Sequence, residues 1–178
     1  MSTAYLFKSE RLGFRNWNSS DYEPFAEINS DPDVMEFFPK QLTREESIAM
    51  IKRMQNTYDE LGYTFFAVDL LENNEFIGFV GLIKATFEAF FTPCFEIGWR
   101  LKKSAWNKGY ATEGAKACLQ YGFNNLNMDV IHSITAVTNK KSEHLMTKIG
   151  MTKIGTFDHP KLSNNDPLKP HVVYKVSK

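Results

Sequence analysis

A mixed α/β sheet with helices on both faces is the fold class the sequence predicts, and three observations predict it. Runs rich in Val, Ile and Phe recur along the chain, amphipathic stretches at 3.6-residue spacing fall between them, and Gly, Pro and Asn mark the joints. No repeat, low-complexity tract or linker-like stretch interrupts the 178 residues, so residues 1–178 read as one domain.

Taken in order, "RLGFRNW" alternates enough for a first strand, and "SSDYEPFAEIN" opens a helix with Ser20 and Glu23 spaced as a capping box. Asp31 and Pro32 start a short turn of helix through Phe37. Thr43 and Glu46 form a second capping box, after which Ile48, Ile51, Met54, Tyr58 and Leu61 follow one helical face and stop before Gly62. "YTFFAVDLL" and "FIGFVGLIKA" are strands, joined into a hairpin at Asn73 and Asn74. The Phe-rich loop "TFEAFFTP" then leads to the strand "CFEIGWRL" and a helix from about Gly109 to Leu126, with Ala111, Ala115, Cys118, Leu119 and Phe123 on its apolar side. "VIHSITAVT" is a strand, "SEHLMTKIG" a short helix capped by Gly150, and "MTKIGTF" and "HVVYKV" are closing strands.

Composition narrows the function. With 43% hydrophobic and 24% charged residues the chain is globular, and 14% aromatic residues, fifteen of them Phe, suggest rings around a site. Lys plus Arg and Asp plus Glu balance at 21 each, so no net field recruits nucleic acid or an anionic membrane. Cys94 and Cys118 lack the spacing and His neighbours of a metal site, so no metal is expected and both read as buried thiols of a reducing compartment. The stretch "MSTAYLFKSERLGF" has no leader-like apolar core, and no run approaches the roughly 18 apolar residues of a membrane span. A cytoplasmic location is the expectation.

One stretch carries chemistry. "WRLKKSAWNKGYATEGAKACLQYGF" leaves a strand, passes Gly109 and starts a helix with no acidic residue before Glu113. The first amides of a helix lack acceptors and carry partial positive charge, so this end can hold an anion such as a diphosphate. The plain alternative is a tight strand-to-helix turn. A P-loop needs GxxxxGK[ST] and a dinucleotide turn needs GxGxxG, and neither is present.

The segment "WNKGYATEGA" resembles the RimJ/RimL-type branch of the GNAT N-acetyltransferases, with Trp106 where the wider family's [RQ]xxGx[GA] has Arg or Gln. "CFEIGWRL", "TNKKSEHLMTKIGM", "FDHPKLSNNDPLKPHVVYKV", "SERLGFRNW" and "DPDVMEFFP" extend the likeness along nearly the whole chain. The resemblance implies the GNAT fold: a mostly antiparallel sheet of six to seven strands, splayed between the fourth and fifth. Acetyl-CoA is then the implied acyl donor. Its pantetheine arm would lie along Ile97, Gly98, Trp99, Arg100 and Leu101, its diphosphate on the turn Trp106, Asn107, Lys108, Gly109, Tyr110, Ala111 and Thr112, and Asn139 and Ser142 would contact the arm or the departing sulfur. Asn139 or Ser142 can equally cap the following helix, and the two roles are compatible.

Direct transfer needs a neutral amine and a group to take its proton. An α-amine, at pKa about 7.7 to 8.0, demands less of a base than a lysine amine. Glu96 is the candidate base, with Asn139 as the second catalytic candidate, unless Glu96 only orients the substrate ammonium or pairs with a neighbour. A backbone amide of the splayed strand can stabilise the oxyanion. His144, His159, His171 and Tyr174 are other possible proton carriers, each with a turn or sheet role as the plainer reading. Cys94 lacks a neighbouring base for a ping-pong route. The acceptor would pass Phe37, Phe38 and Trp99 on its way to Glu96, and Phe87, Phe90 and Phe91 either join this aromatic mouth or belong to the core or a dimer surface. The expected partners are therefore acetyl-CoA and an amine acceptor, either a peptide N-terminus or a small amine such as a polyamine, amino acid or antibiotic. A non-catalytic CoA-binding module is the competing class, and the protein is expected to be a monomer or homodimer.

Overall fold

The strand Cys94–Leu101 (β5) sits near the centre of an eight-stranded sheet in a computed structural model that describes residues 4–178. The reading of the N-terminal stretch thus reaches into residues 1–3, outside the described part. In chain order the other elements are β1 (Phe7–Lys8), β2 (Leu12–Arg15), α1 (Tyr22–Ser30), α2 (Arg44–Leu61), β3 (Phe65–Leu70), β4 (Phe76–Ala85), α3 (Tyr110–Asn125), β6 (Val130–Ala136), α4 (Lys140–Lys148), β7 (Thr152–Asp158) and β8 (Pro170–Ser177). The sheet order is β1-β2-β3-β4-β5-β6-β8-β7, antiparallel throughout except for β5 beside β6. Seven strands are those expected, and the eighth is the two-residue β1.

The β5–β6 pair is parallel because α3 returns the chain between them, and its register covers only Phe95 with Ile131 and Glu96 with His132. Beyond it the strands part. Ser133 Oγ bridges the start of the gap by donating to Ile97 O at 3.0 Å.

Side chains alternate across the sheet and sort the helices. Ala67 and Phe79 point to α1 and α2, where they pack with Trp17, Phe25, Ile51 and Met54. Val80, Leu82 and Ile97 point the other way, under Ala115, Cys118 and Leu119 of α3 and Met146 of α4.

Two expectations are corrected. The first helix is capped by Asn18 and Asp21, which exchange the two capping-box bonds around the short 3-10 turn Ser19–Asp21; Ser20 and Glu23 make no such pair. Asp21 is chosen because the buried Arg15 needs it: Nη1 and Nη2 donate to Asp21 at 2.8 Å, while Nε and Nη2 reach Asp69 at 2.7 and 2.8 Å. Glu23 is instead taken by Arg44. No helix forms over Asp31–Phe37. The Asp31 carboxylate accepts from the N–H groups of Asp33 and Val34, a local turn that competes with helix extension. The capping box at Thr43–Glu46 and the left-handed Gly62 at φ 76° close α2 as expected.

Candidate active site

Each residue of a strand turns its N–H and C=O toward one edge, alternately, so the parity of β5 decides what the gap exposes. Leu82, opposite Ile97, gives its N–H to Thr64 and faces away from β5, while Lys102 donates to Ile77. Gly98 and Arg100 therefore spend their backbone groups on β4, whereas Ile97, Trp99 and Leu101 present theirs to the gap. Ile97 O is taken by Ser133, and Leu101 O accepts from Trp106 Nε1 at 2.9 Å. Trp106, in the place of the family's Arg or Gln, thus closes the far end of the opening. The main chain of Trp99 remains between these two stops, ready to pair with an extended amide-bearing arm.

The same gap runs on to the start of α3. Asn107 at φ 59° and Gly109 at φ 82° are both left-handed, and alternation of this kind turns successive N–H groups into an anion-binding hollow. Gly109 caps α3 with no side-chain bond. Glu113, the acid of the first helical turn, is drawn off: it accepts from Ser9 Oγ and Arg11 N at 2.7 Å each, and from Arg11 Nε at 2.7 Å. Burial raises its pKa, but these bonds outweigh that and hold the carboxyl below its usual range. The amides at Tyr110, Ala111 and Thr112 are left to the dipole and a ligand. Two cations missed in the sequence stand beside them. Arg11 Nη2 lies 3.3 Å from where a Cβ on Gly109 would sit, with its guanidinium over the Tyr110 ring, and Lys141 Nζ lies over the Trp106 ring at 5.1 Å. Lys141 follows Asn139 closely in sequence; no spacing rule joins Arg11 to Gly109.

Across the gap, Asn139 caps α4 by accepting from Ser142 N at 3.1 Å, and Ser142 Oγ accepts from Trp99 Nε1 at 3.3 Å. The capping role of Asn139 is therefore real. It also fixes both side chains at the rim of a continuous cavity of about 910 Å³, which reaches from Gly109 and Thr112 past Trp99 and Gly98 to Glu96.

Glu96 lies on the opposite sheet face from Ile97 and Trp99, which is the α1/α2 side. It lines the cavity with no hydrogen bond or ion pair among the described residues. Desolvation pushes its carboxyl up to about 7, and Lys161 offsets this only in part. Phe65, 3.1 Å from a would-be Gly98 Cβ and stacked on Phe79, floors the surface between Glu96 and Arg100.

The other candidates divide. Phe37, Phe38 and Phe87 line the cavity; Phe90 is 65% exposed, and Phe91 packs on Phe157 and His132 instead of lining it. His144, His159 and His171 line it too, with His159 pushed down to about 4 by burial, then by His171 and Lys161, so its ring is neutral at pH 7. Tyr174 lies away from the cavity and donates to Glu143 at 3.0 Å. Burial and then Glu96 lift the Cys94 thiol to about 11, which removes it as a nucleophile. Among the described residues no group of His, Cys, Asp and Glu is arranged to hold a metal, and no helix is long and apolar enough to cross a membrane.

Known proteins are similar to this chain in sequence and fold. A curated relative, the uncharacterized N-acetyltransferase YnaD of Bacillus subtilis (strain 168), is 32% identical over 150 residues, 84% of each chain. The crystal structure of a GNAT-family acetyltransferase from Bacillus anthracis superposes with a TM-score of 0.79 at 30% identity, covering 96% of both chains. RimL, the ribosomal L7/L12 α-N-protein acetyltransferase solved with coenzyme A, superposes with a TM-score of 0.77 over 95% of both chains; at 15% identity this likeness speaks for the fold alone. The family described as acetyltransferase (GNAT) domain matches from Arg11 to Thr152, which takes in the parted strands and the glycine turn together, and the chain accordingly belongs to the GNAT acetyltransferases, acyltransferases whose donor is acetyl-CoA.

Proposed function

We propose that this chain transfers acetyl directly to a primary amine, the N-terminal amine of a peptide or protein, with Glu96 receiving the amine's proton directly or through water. The observation that carries this reading is the position of Glu96: an unpaired carboxyl, poised near 7, opening into the same cavity as the free main chain of Trp99. A base of that pKa is half ionised at neutral pH and matches an α-amine at about 7.7 to 8.0.

The residues fit the donor at three places. The uncapped start of α3, with Lys141 and Arg11 at hand, suits the diphosphate. Trp99 offers its C=O to an amide N–H of the arm. Bound there, acetyl-CoA supplies an activated acyl group. The Trp99 N–H, on the same gap edge, is a main-chain donor for the carbonyl oxygen as charge gathers on it, and the Ser142 hydroxyl, which accepts from Trp99, keeps its own hydrogen for the departing sulfur.

The acceptor end carries both signs of charge, with Asp33, Glu36 and Glu96 beside Lys84, Arg100 and Lys161. That mixture gives a polycation little to bind and weighs against a polyamine. We place the chain in the RimJ/RimL-type branch on "WNKGYATEGA", and in the cytoplasm on its two free thiols, Cys94 and Cys118. The test is release of free CoA thiol from acetyl-CoA across peptides, polyamines and amino acids. Peptides should be turned over with acetyl on the N-terminal nitrogen by mass spectrometry; turnover confined to polyamines, or none with any amine, overturns the reading.

A further inference from the structure

Arg15 and Arg100 are each 7% exposed, and the protein treats them in opposite ways. Arg15 is enclosed by two carboxylates: burial works against its charge, but the hydrogen bonds it donates to Asp21 and Asp69 more than restore it, and its pKa rises above the usual value. Arg100 has no carboxylate within ion-pair reach among the described residues. Of its fork of N–H donors, Nη1 alone has a partner, Asn29 Oδ1 at 2.6 Å, and Asn29 is held in turn by donating to Ser47 Oγ at 3.0 Å. Nε is buried with no partner at all. The guanidinium lies 4.0 Å from the centre of the Phe38 ring and 5.4 Å from that of Phe79, which orient its plane and add no anion. Desolvation with nothing to offset it drops its pKa to about 10. The group remains charged at neutral pH, so the cavity contains a dehydrated cation without a counter-ion.

A buried charge of this kind is costly unless paired, and the missing partner belongs where the unused donors point. Arg100 lines the cavity on the α1/α2 face, the face of Glu96 and Phe38. The diphosphate hollow at Gly109 opens α3, which packs on the other sheet face with Val80, Leu82 and Ile97, so the anion sought for Arg100 is a second one, apart from the donor's phosphates. We propose that the amine acceptor itself carries a carboxylate, and that Arg100 binds it while the amine reaches the open main chain of Trp99 beside Glu96. This rests on direct transfer to a primary amine, as proposed above, and adds a carboxylate to that acceptor. Glu96 and Arg100 are four residues apart on one strand, roughly 13 Å between Cα atoms. Amine and carboxylate are therefore separated by several bonds in the acceptor, as in an ω-amino acid or in a peptide with an acidic side chain just after its free N-terminus.

The experiment compares acceptors that differ only in the carboxylate. ω-Amino acids are set against their amides, and peptides with Asp or Glu at the second and third positions against the same peptides with Asn or Gln. The acidic member of a pair should have a KM about 10- to 100-fold lower at similar kcat, the usual worth of a charge-assisted bond to a dehydrated cation. Arg100→Gln should erase that difference by raising KM for the acidic member alone, Arg100→Lys should retain part of it, and the Kd of acetyl-CoA should stay unchanged in both. A purely structural Arg100 would instead shift acidic and neutral acceptors equally, and that result, or equal KM values in wild type, overturns the proposal. Whichever of the two acceptor sets shows the effect identifies the source of the carboxylate. Thermal shift of the CoA-saturated protein with glutarate separates the two readings. Stabilisation of wild type and not of Arg100→Gln supports the carboxylate site even if no amine is acetylated, and no shift in wild type counts against it even if amines are.

Discussion

A carboxyl that loses its water without gaining a donor keeps its proton to higher pH, and this is the physical situation of Glu96. Turnover that depends on it should rise with pH through about 7 and then level off. Glu96→Gln should lower kcat by about 100-fold or more and flatten that rise, with the Kd of acetyl-CoA unchanged, since the side chain faces away from the donor's cleft. A wild-type rate at pH 7 would assign the proton to another group. The same shift predicts stability. The folded-state pKa is raised, so the native protein binds more protons than the unfolded chain between pH 4.5 and about 7, and that advantage disappears as pH climbs through 7. Gln cannot ionise, so in chemical denaturation Glu96→Gln should match wild type near pH 4 and exceed it above pH 7, on the order of 1 to 3 kcal/mol. Glu96 was legible in the sequence as the one acid of its strand, two residues before Gly98. Its pKa was not, because burial comes from chain distant in sequence.

Among the elements, α3 depends most on what surrounds its first turn. Glu113 would put a negative charge near the diphosphate hollow if left to itself; Ser9 and Arg11, from the stretch before β2, hold it and bring a cation forward in the same step. Glu113→Gln should leave α3 in place, cost about 1 kcal/mol of stability for a half-exposed pair, and weaken acetyl-CoA several-fold by freeing Arg11, as read by calorimetry. A tighter complex would mean that the charge of Glu113, and not the posture of Arg11, matters to the donor. Gly109→Asp tests the hollow directly. It places a side chain on a residue at φ 82° and an anion beside Arg11, and should raise the Kd of acetyl-CoA roughly 100-fold, with Gly109→Ala intermediate because it brings the strain without the charge. The same element shows what sequence can and cannot supply. Its limits, its Gly start and its missing cap were all readable locally. For α1 two capping registers overlapped, Asn18 with Asp21 and Ser20 with Glu23, and the choice fell to Arg15 and Arg44, which arrive from other parts of the chain.

At the scale of the molecule, the parting of β5 from β6 is the feature that the rest of the sheet serves. Nearly every strand boundary followed from local pattern, but the parting did not, because it depends on pairing that stops after Glu96 and His132 while both strands continue. Resemblance to a family supplied it, and parity along β5 shows how little of it is open: Ser133 and Trp106 each occupy a carbonyl on the gap edge, leaving the main chain of Trp99 between them. A sheet with one short unpaired edge in its interior is under-bonded there, and whatever completes it should stiffen both halves together. Acetyl-CoA should therefore slow amide hydrogen exchange at Trp99 and across residues 108–112 by tenfold or more, while Leu82 and Val80, already within the β3–β4–β5 ladder or bonded to Thr64, change little. Protection spread evenly over the sheet would indicate binding elsewhere. Protection at 108–112 without Trp99 would mean that the arm crosses the gap without pairing with β5, and the carbonyl oxygen would then lack its main-chain donor.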